Sequence, residues 1–69
     1  MAVEKNHPYT VKDLLKELGL SKKAFDAVGN GLNVGGLNIW SLEQELRVPE
    51  GTKSLIVLIP GEDPQEIEL

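Results

Sequence analysis

The clearest structural signal in the chain is TVKDLLKELGL, residues 10–20. Its apolar residues recur at i, i+3, i+4 and i+7, which is the spacing of one face of an α-helix. Thr10 is a good N-cap residue with Asp13 three positions later, and Gly19 is the residue type that most often follows a helix end. The stretch therefore predicts a helix that begins after Thr10 and ends before Gly19.

A second short helix is predicted directly after the first. Ser21 is a suitable N-cap, and Ala24, Phe25 and Val28 supply a short apolar face. The glycines and asparagine of residues 29–31 would end this helix. We expect Phe25, and also Trp40 further along the chain, to lie in the core rather than to serve as stacking platforms.

Beyond residue 31 the pattern becomes that of β-strands. The apolar residues of 32–40 are interrupted by Gly35-Gly36, which predicts a tight turn or bulge within a strand. Residues 55–59 are a continuous apolar run and predict the strongest strand, buried on both faces or with one face against the helices. Residues 49–52 predict a turn, and residues 41–46 are ambiguous but compatible with a short helical turn.

These elements predict an α+β fold, with two short N-terminal helices packed on a small, mostly antiparallel sheet. A chain of 69 residues has room for a single domain. Within it we expect an irregular N-terminal segment over residues 1–8 and a folded core over 9–60. Residues 61–69 are acidic and contain a proline, which predicts a C-terminal tail.

The composition removes several classes of function. The chain has no cysteine, which excludes disulfide scaffolds, zinc fingers and thiol catalysis. No apolar run approaches the roughly 18 residues of a membrane span, and no signal peptide opens the chain. His7 is the single histidine, and no serine lies in a nucleophile-elbow context. We therefore expect a cytoplasmic protein that is not an enzyme, with no cofactor, no metal and no membrane partner.

Charge is divided unevenly along the chain. Residues 1–30 carry five lysines against four acidic residues, whereas residues 31–69 carry two basic residues against seven acidic ones. The helical half is thus mildly basic although the net charge is −4. Its lysines are either an ordinary solvated face or a small patch that faces phosphates, which would bind weakly and with strong salt dependence.

Several segments together resemble a known family. The helix of residues 10–20 is followed by Ser21-Lys22-Lys23, then by LNVGG at 32–36, which loosely matches a strand ending in Val-Asn-Gly. The PEGT turn at 49–52 matches in part a Lys-Glu-Gly-Asp turn, and a final strand with an acidic, proline-containing exit follows. Over Tyr9 to Asp63 the chain resembles the small RNA-binding domain named after ribosomal small-subunit protein S-four, also called the alpha-L motif. The version at the N-terminus of large-subunit-type pseudouridine synthases is the most similar.

The resemblance implies a non-catalytic module that contacts structured RNA through a basic helical face. In that family the first two helices and the loop before the second strand contact RNA. Carried over to this chain, the implied RNA-binding residues are Lys12, Lys16, Ser21, Lys22, Lys23 and Asn33. Recognition would rest on the RNA backbone and shape, because the chain shows neither an aromatic platform nor a base-reading code.

Two alternatives remain beside this interpretation. The acidity of residues 31–69 favours a protein–protein interaction domain, or a scaffold with an S-four-like fold and no RNA role. The Thr-Val-x-x-Leu-Leu helix also resembles that of ubiquitin-like sulfur carriers. Those proteins need a β-hairpin before the helix and a Gly-Gly end, whereas this chain ends Ile67-Glu68-Leu69.

Overall fold

The structure, a computed structural model, describes residues 3–69 and consists of two short helices and two antiparallel sheets. The predicted α+β fold class is confirmed. The helices and strands, in chain order, are β1 Tyr9–Thr10, α1 Val11–Glu17, α2 Lys22–Asp26, β2 Asn33–Val34, β3 Leu37–Asn38, β4 Glu45–Leu46, β5 Ser54–Leu58 and β6 Gln65–Glu68. Strand β1 pairs with β4, and the larger sheet has the order β3-β2-β5-β6. Residues 3–8 belong to no helix or strand, and residues 1–2 of the predicted irregular segment lie outside the described residues.

Both ends of α1 form as the local sequence predicts. Thr10 adopts extended backbone angles, and its Oγ1 accepts a hydrogen bond of 3.2 Å from the Asp13 N–H. At the other end Gly19 has a φ of 69°. The N–H of Gly19 donates to the Lys16 carbonyl and that of Leu20 to the Leu15 carbonyl, which is the Schellman arrangement. A glycine suits this position because only glycine enters the left-handed region without a Cβ penalty.

The glycine pair at 35–36 turns the chain between β2 and β3. Val34 pairs with Leu37, so the loop between the strands has two residues. Gly35 and Gly36 have φ angles of 59° and 87°, the positive values that a type I′ hairpin turn requires at both central positions. The Asn33 side chain supports the turn, since its Oδ1 accepts from the Gly36 N–H at 3.0 Å and its Nδ2 donates to Asn38 Oδ1 at 3.1 Å.

Strand β5 is central in the larger sheet and alternates between core and solvent. It pairs with β2 through Val34↔Val57 and with β6 through Leu55↔Ile67. Leu55, Val57 and Ile59 are buried, whereas Ile56 and Leu58 are exposed. Of the two burial patterns predicted for residues 55–59, the one with a single face against the helices is therefore the one observed. The buried core consists of Val11, Leu14, Leu15, Leu18, Ala24, Ala27, Leu32, Val34, Ile39, Leu46, Val48, Leu55, Val57 and Ile59.

The prediction of a C-terminal tail over 61–69 is wrong, because Gln65–Glu68 forms strand β6 on the edge of the sheet. Gly61, with a φ of 81°, lies in the turn that precedes it, and the Glu62 N–H donates to the Ile59 carbonyl. Ile67 and Leu69 pack against the core, while Glu66 and Glu68, which alternate with them, are exposed. This alternation is a strand signal that the acidic composition of the segment obscures.

The segment between β3 and β5 also departs from expectation. Residues 41–46 contain no helix: a turn at 42–43 leads into β4, whose Leu46 pairs with Tyr9. The Gln44 side chain accepts from the Trp40 N–H at 2.8 Å, which holds this turn against the end of β3. The prediction that Trp40 lies in the core is wrong, since the residue is 71% exposed; Phe25 is half-buried against the core.

Candidate nucleic-acid interface

Lys12 and Lys16 form one stripe along the exposed side of α1. They are spaced i, i+4, so their side chains emerge from the same helix face, while Leu14 and Leu15 of the same helix are buried. Asp13 and Glu17 form a second exposed stripe one residue further around the helix. The helix therefore presents a basic stripe and an acidic stripe side by side, and a polyanion could approach only the basic one.

The first turn of α1 has no free backbone donors to offer a phosphate. The Val11 N–H donates to the Gln44 carbonyl at 2.8 Å, and the Lys12 N–H donates to the Leu42 carbonyl at 3.0 Å. The Asp13 N–H is already bound to Thr10 Oγ1. Any contact between α1 and a phosphate must therefore come from the lysine side chains.

Lys12 lies close enough to the Glu43 carboxylate to influence its pKa. The pKa of Glu43 is lowered from the ordinary value, first by a hydrogen bond from the Ser41 hydroxyl, whose Oγ is 2.6 Å from Glu43 Oε2. A backbone hydrogen bond and the positive charge of Lys12 lower it further. Lys12 is thus the smallest of these influences on Glu43, and within residues 3–69 the two side chains form no ion pair.

The joint between α1 and α2 presents Ser21 and Lys22 to solvent. Ser21 takes the extended backbone angles of an N-cap, but its hydroxyl forms no capping hydrogen bond with the described residues of α2. Lys22 is exposed on the first turn of α2. Within residues 3–69, neither Lys16 nor Lys22 takes part in an ion pair. Lys12 likewise has no ion pair among these residues, so Lys23 is the helical lysine that the structure pairs with a carboxylate.

Lys23 points away from this joint, towards the turn between β5 and β6. Its Nζ is 3.2 Å from Glu62 Oε1, and both side chains are largely exposed. Such surface ion pairs are worth little energetically, but they do bias where a flexible side chain spends its time. A shallow groove of about 390 Å³ runs beside the pair and is lined by residues of both charges, among them Asp26. Lys23 thus belongs to a mixed-charge surface.

Asn33 lies apart from the four helical lysines. Its neighbour Val34 is buried on the side of the sheet that faces the core, so strand alternation turns Asn33 to the opposite side. Its amide is also engaged in the β2–β3 turn. Of the six residues implied by the resemblance, four lie on α1 and the α1–α2 joint: Lys12, Lys16, Ser21 and Lys22. The side chains of Lys23 and Asn33 point to other parts of the surface.

Two surfaces were not found by sequence reasoning. One is an apolar groove of about 220 Å³ lined by residues that include Leu14, Leu37 and Arg47. The other is the outward side of the larger sheet, where Ile56 and Leu58 are exposed. A signal for the second exists in the sequence: an antiparallel strand with one face in solvent normally alternates with polar residues, whereas 55–59 is apolar throughout.

Residues 3–69 contain no group of three or more histidine, cysteine or carboxylate side chains placed to hold a metal ion. None of the helices in that range has the length and apolar character needed to cross a membrane. Comparisons with protein-family models, curated proteins and solved structures gave no match. The fold and surface together define a small α+β domain with an exposed, lysine-bearing helical pair.

Proposed function

We propose that this chain is a non-catalytic module that binds structured RNA, weakly, through the lysines of α1 and the α1–α2 joint. The observation that carries the proposal is the exposure of Lys16 and Lys22 on adjoining helices without an acidic partner among residues 3–69. Lys12 extends this surface along α1, and the Ser21 hydroxyl, which does not cap α2, adds a hydrogen-bond donor at the joint. The resemblance of residues 9–63 to the S-four domain favours RNA over other polyanions.

The geometry limits how the module would bind. A few lysine side chains and one hydroxyl contact the backbone of RNA, and no α1 backbone donors are left to read it. Each phosphate neutralised by a cation contributes roughly 0.7–0.9 to the slope of log affinity against log salt concentration. With Lys12, Lys16 and Lys22 engaged, we expect a slope of about 2–3 and a preference for helical RNA shape over sequence.

The test is an amide chemical-shift titration of the full chain with an RNA hairpin, at low salt and again at roughly fourfold higher salt. We expect shifts confined to α1, the joint and the start of α2, fading as salt rises. Lys16→Gln and Lys22→Gln should each reduce the salt slope by about 1. The matched control is Lys53→Gln, an equal change of charge just before β5, which should leave the slope unchanged.

Glu62 offers a second, independent arm. Because Lys23 is held towards Glu62, Glu62→Gln should release Lys23 and remove a repulsive charge, so RNA affinity should rise about two- to fivefold at low salt. Affinity that does not depend on salt would contradict the proposal. So would equal losses from Lys16→Gln and the Lys53→Gln control. Absence of any shift at low salt would instead support the alternative of a protein-interaction domain.

A further inference from the structure

The outward side of the larger sheet carries an apolar stripe that the core does not use. On β5, Leu55 and Val57 face the helices, while Ile56 and Leu58 face away and remain 43% and 42% exposed. Pairing places Asn33 opposite Leu58, Glu66 opposite Ile56 and Glu68 opposite Ser54. We call the outward residues of these three strands the outer sheet face; they are Asn33, Ser54, Ile56, Leu58, Glu66 and Glu68.

The apolar stripe continues past the end of β5 towards β3. A Cβ at Gly31 would lie only 3.0 Å from Pro60 Cγ, so the bare glycine lets the exposed Pro60 ring lie close to the chain that leads into β2. Pro60 also lines the groove beside Lys23. The Ile39 N–H donates to the Leu32 carbonyl, which extends the β2–β3 pairing by one residue. Since Ile39 is buried, the same alternation directs the exposed Trp40 to the outer side.

The charged residues of the outer sheet face all have the same sign. Glu66 and Glu68 lie beside the apolar stripe, and Glu66 is held in place by the Ser54 hydroxyl, whose Oγ is 2.9 Å from Glu66 Oε2. No lysine or arginine occupies an outward position of β2, β3, β5 or β6. An apolar centre with an acidic margin is the complement of a segment that has an apolar centre and a basic margin.

We propose that the outer sheet face docks a basic amphipathic segment of a partner protein. Apolar side chains of that segment cover Ile56, Leu58 and Trp40, and its lysines or arginines reach Glu66 and Glu68. The acidic margin selects this occupant, because it repels the phosphates of RNA and also repels the identical face of a second copy. The surface lies on the opposite side of the sheet from the helices, so both could be occupied at once.

The test uses a defined probe and the full chain. The probe is a peptide of about 14 residues, half leucine and half lysine, with leucines at i, i+3, i+4 and i+7 so that they share one helix face. A peptide of the same composition with permuted order has no such face and serves as the control. We expect amide shifts in β5 and β6 and a shift of the Trp40 indole with the probe, and at least fivefold weaker binding of the permuted peptide.

Variants of the surface separate its apolar and charged parts. Ile56→Thr with Leu58→Thr places a strand-compatible, β-branched residue at both positions and should weaken probe binding about tenfold. Glu66→Gln and Glu68→Gln should each weaken it about two- to fivefold at low salt. Glu17→Gln, which removes the same charge from α1, should leave binding unchanged and controls for net charge.

Three results would overturn the proposal. The first is equal binding of the probe and the permuted peptide, or equal loss from Glu68→Gln and the Glu17→Gln control. The second is RNA-induced shifts on β5 and β6 that Ile56→Thr abolishes, which would assign the surface to RNA. The third is concentration-dependent dimerisation in sedimentation equilibrium that Leu58→Thr abolishes, which would make a second copy the occupant.

Discussion

Leu55 and Leu58 offer a direct test of which face of β5 is in the core. Both are leucines on one strand, but Leu55 is 9% exposed and faces the helices, whereas Leu58 is 42% exposed and faces away. The substitutions Leu55→Ala and Leu58→Ala therefore make the same chemical change on the same element. Any difference in their free energies of unfolding comes from the face on which the side chain lies.

The structure sets the size of the difference. Truncation of a buried leucine removes its transfer free energy and leaves a cavity, so Leu55→Ala should cost about 2.5–5 kcal/mol. Complete burial of a leucine is worth about 1.5–3 kcal/mol. Leu58 is little more than half buried, and its truncation leaves no enclosed cavity. Leu58→Ala should therefore lower the free energy of unfolding by about 1 kcal/mol. A domain of this size has a net stability of about 3–5 kcal/mol, so Leu55→Ala should be partly unfolded at room temperature.

The free energy of unfolding is measured by urea titration, monitored by far-ultraviolet circular dichroism. If the native baseline of Leu55→Ala is too short, both variants are measured at a lower temperature. Thermal midpoints should differ in the same order, by roughly 4–8 °C for each kcal/mol. A one-residue shift in the register of β5 would move every side chain of the strand to the other face. Equal losses for the two variants, or a larger loss for Leu58→Ala, would therefore refute the assignment of faces.

Three further outcomes follow from local geometry. Thr10→Ala should lower the free energy of unfolding by about 1 kcal/mol, because it removes the bond that caps α1, whereas Ser21→Ala should cost less than half of that since no capping bond is lost; urea midpoints compare the two, and equal losses would contradict this. Gly35→Ala should cost at least about 1–2 kcal/mol by the same assay, because φ is 59° and the new Cβ would lie 2.9 Å from a terminal methyl of β5; an unchanged midpoint would show that the hairpin turn differs. Ser41→Ala should raise the pKa of Glu43 towards its ordinary value, read from carboxyl chemical shifts, because the hydroxyl that favours the ionised form is gone. In the unsubstituted chain this interaction is fully present above the ordinary glutamate pKa and is lost as the pH falls through the lowered pKa of Glu43, so the stabilities of the two forms should converge in acid.

Local signals in the sequence were sufficient where the hydrogen bonds are local. The N-cap of Thr10, the end of α1 at Gly19 and the turn at Gly35-Gly36 each involve residues within five positions of one another. Their residue types are tied to particular backbone angles, so the sequence predicts them without knowledge of the rest of the chain. The same reasoning identified the lysines of α1 and of the α1–α2 joint as exposed side chains.

Composition alone misjudged the elements whose structure depends on a distant partner. Strand β6 forms because Ile67 pairs with Leu55 across the sheet. No residue close to Ile67 in the sequence indicates that pairing. Strand β4 forms against β1, a distant part of the chain, in the register Tyr9↔Leu46. It is too short to be detected from its own two residues. Trp40 is exposed because its neighbour Ile39 is buried in the core and successive residues of an extended chain point to opposite sides. Hydrophobicity alone does not show which of the two is buried.

By itself, the sequence determined the α+β class, the caps of α1, a tight turn or bulge at Gly35-Gly36 and the basic character of the helical half. These follow from residue propensities and charges that act over a few positions. Tertiary structure alone decided that Lys23 turns to Glu62, that Asn33 faces away from the helices, and that an apolar, acid-margined face remains open on the sheet. Those outcomes depend on strand register and on which face of β5 meets the helices, and both are set by packing between residues far apart in the chain.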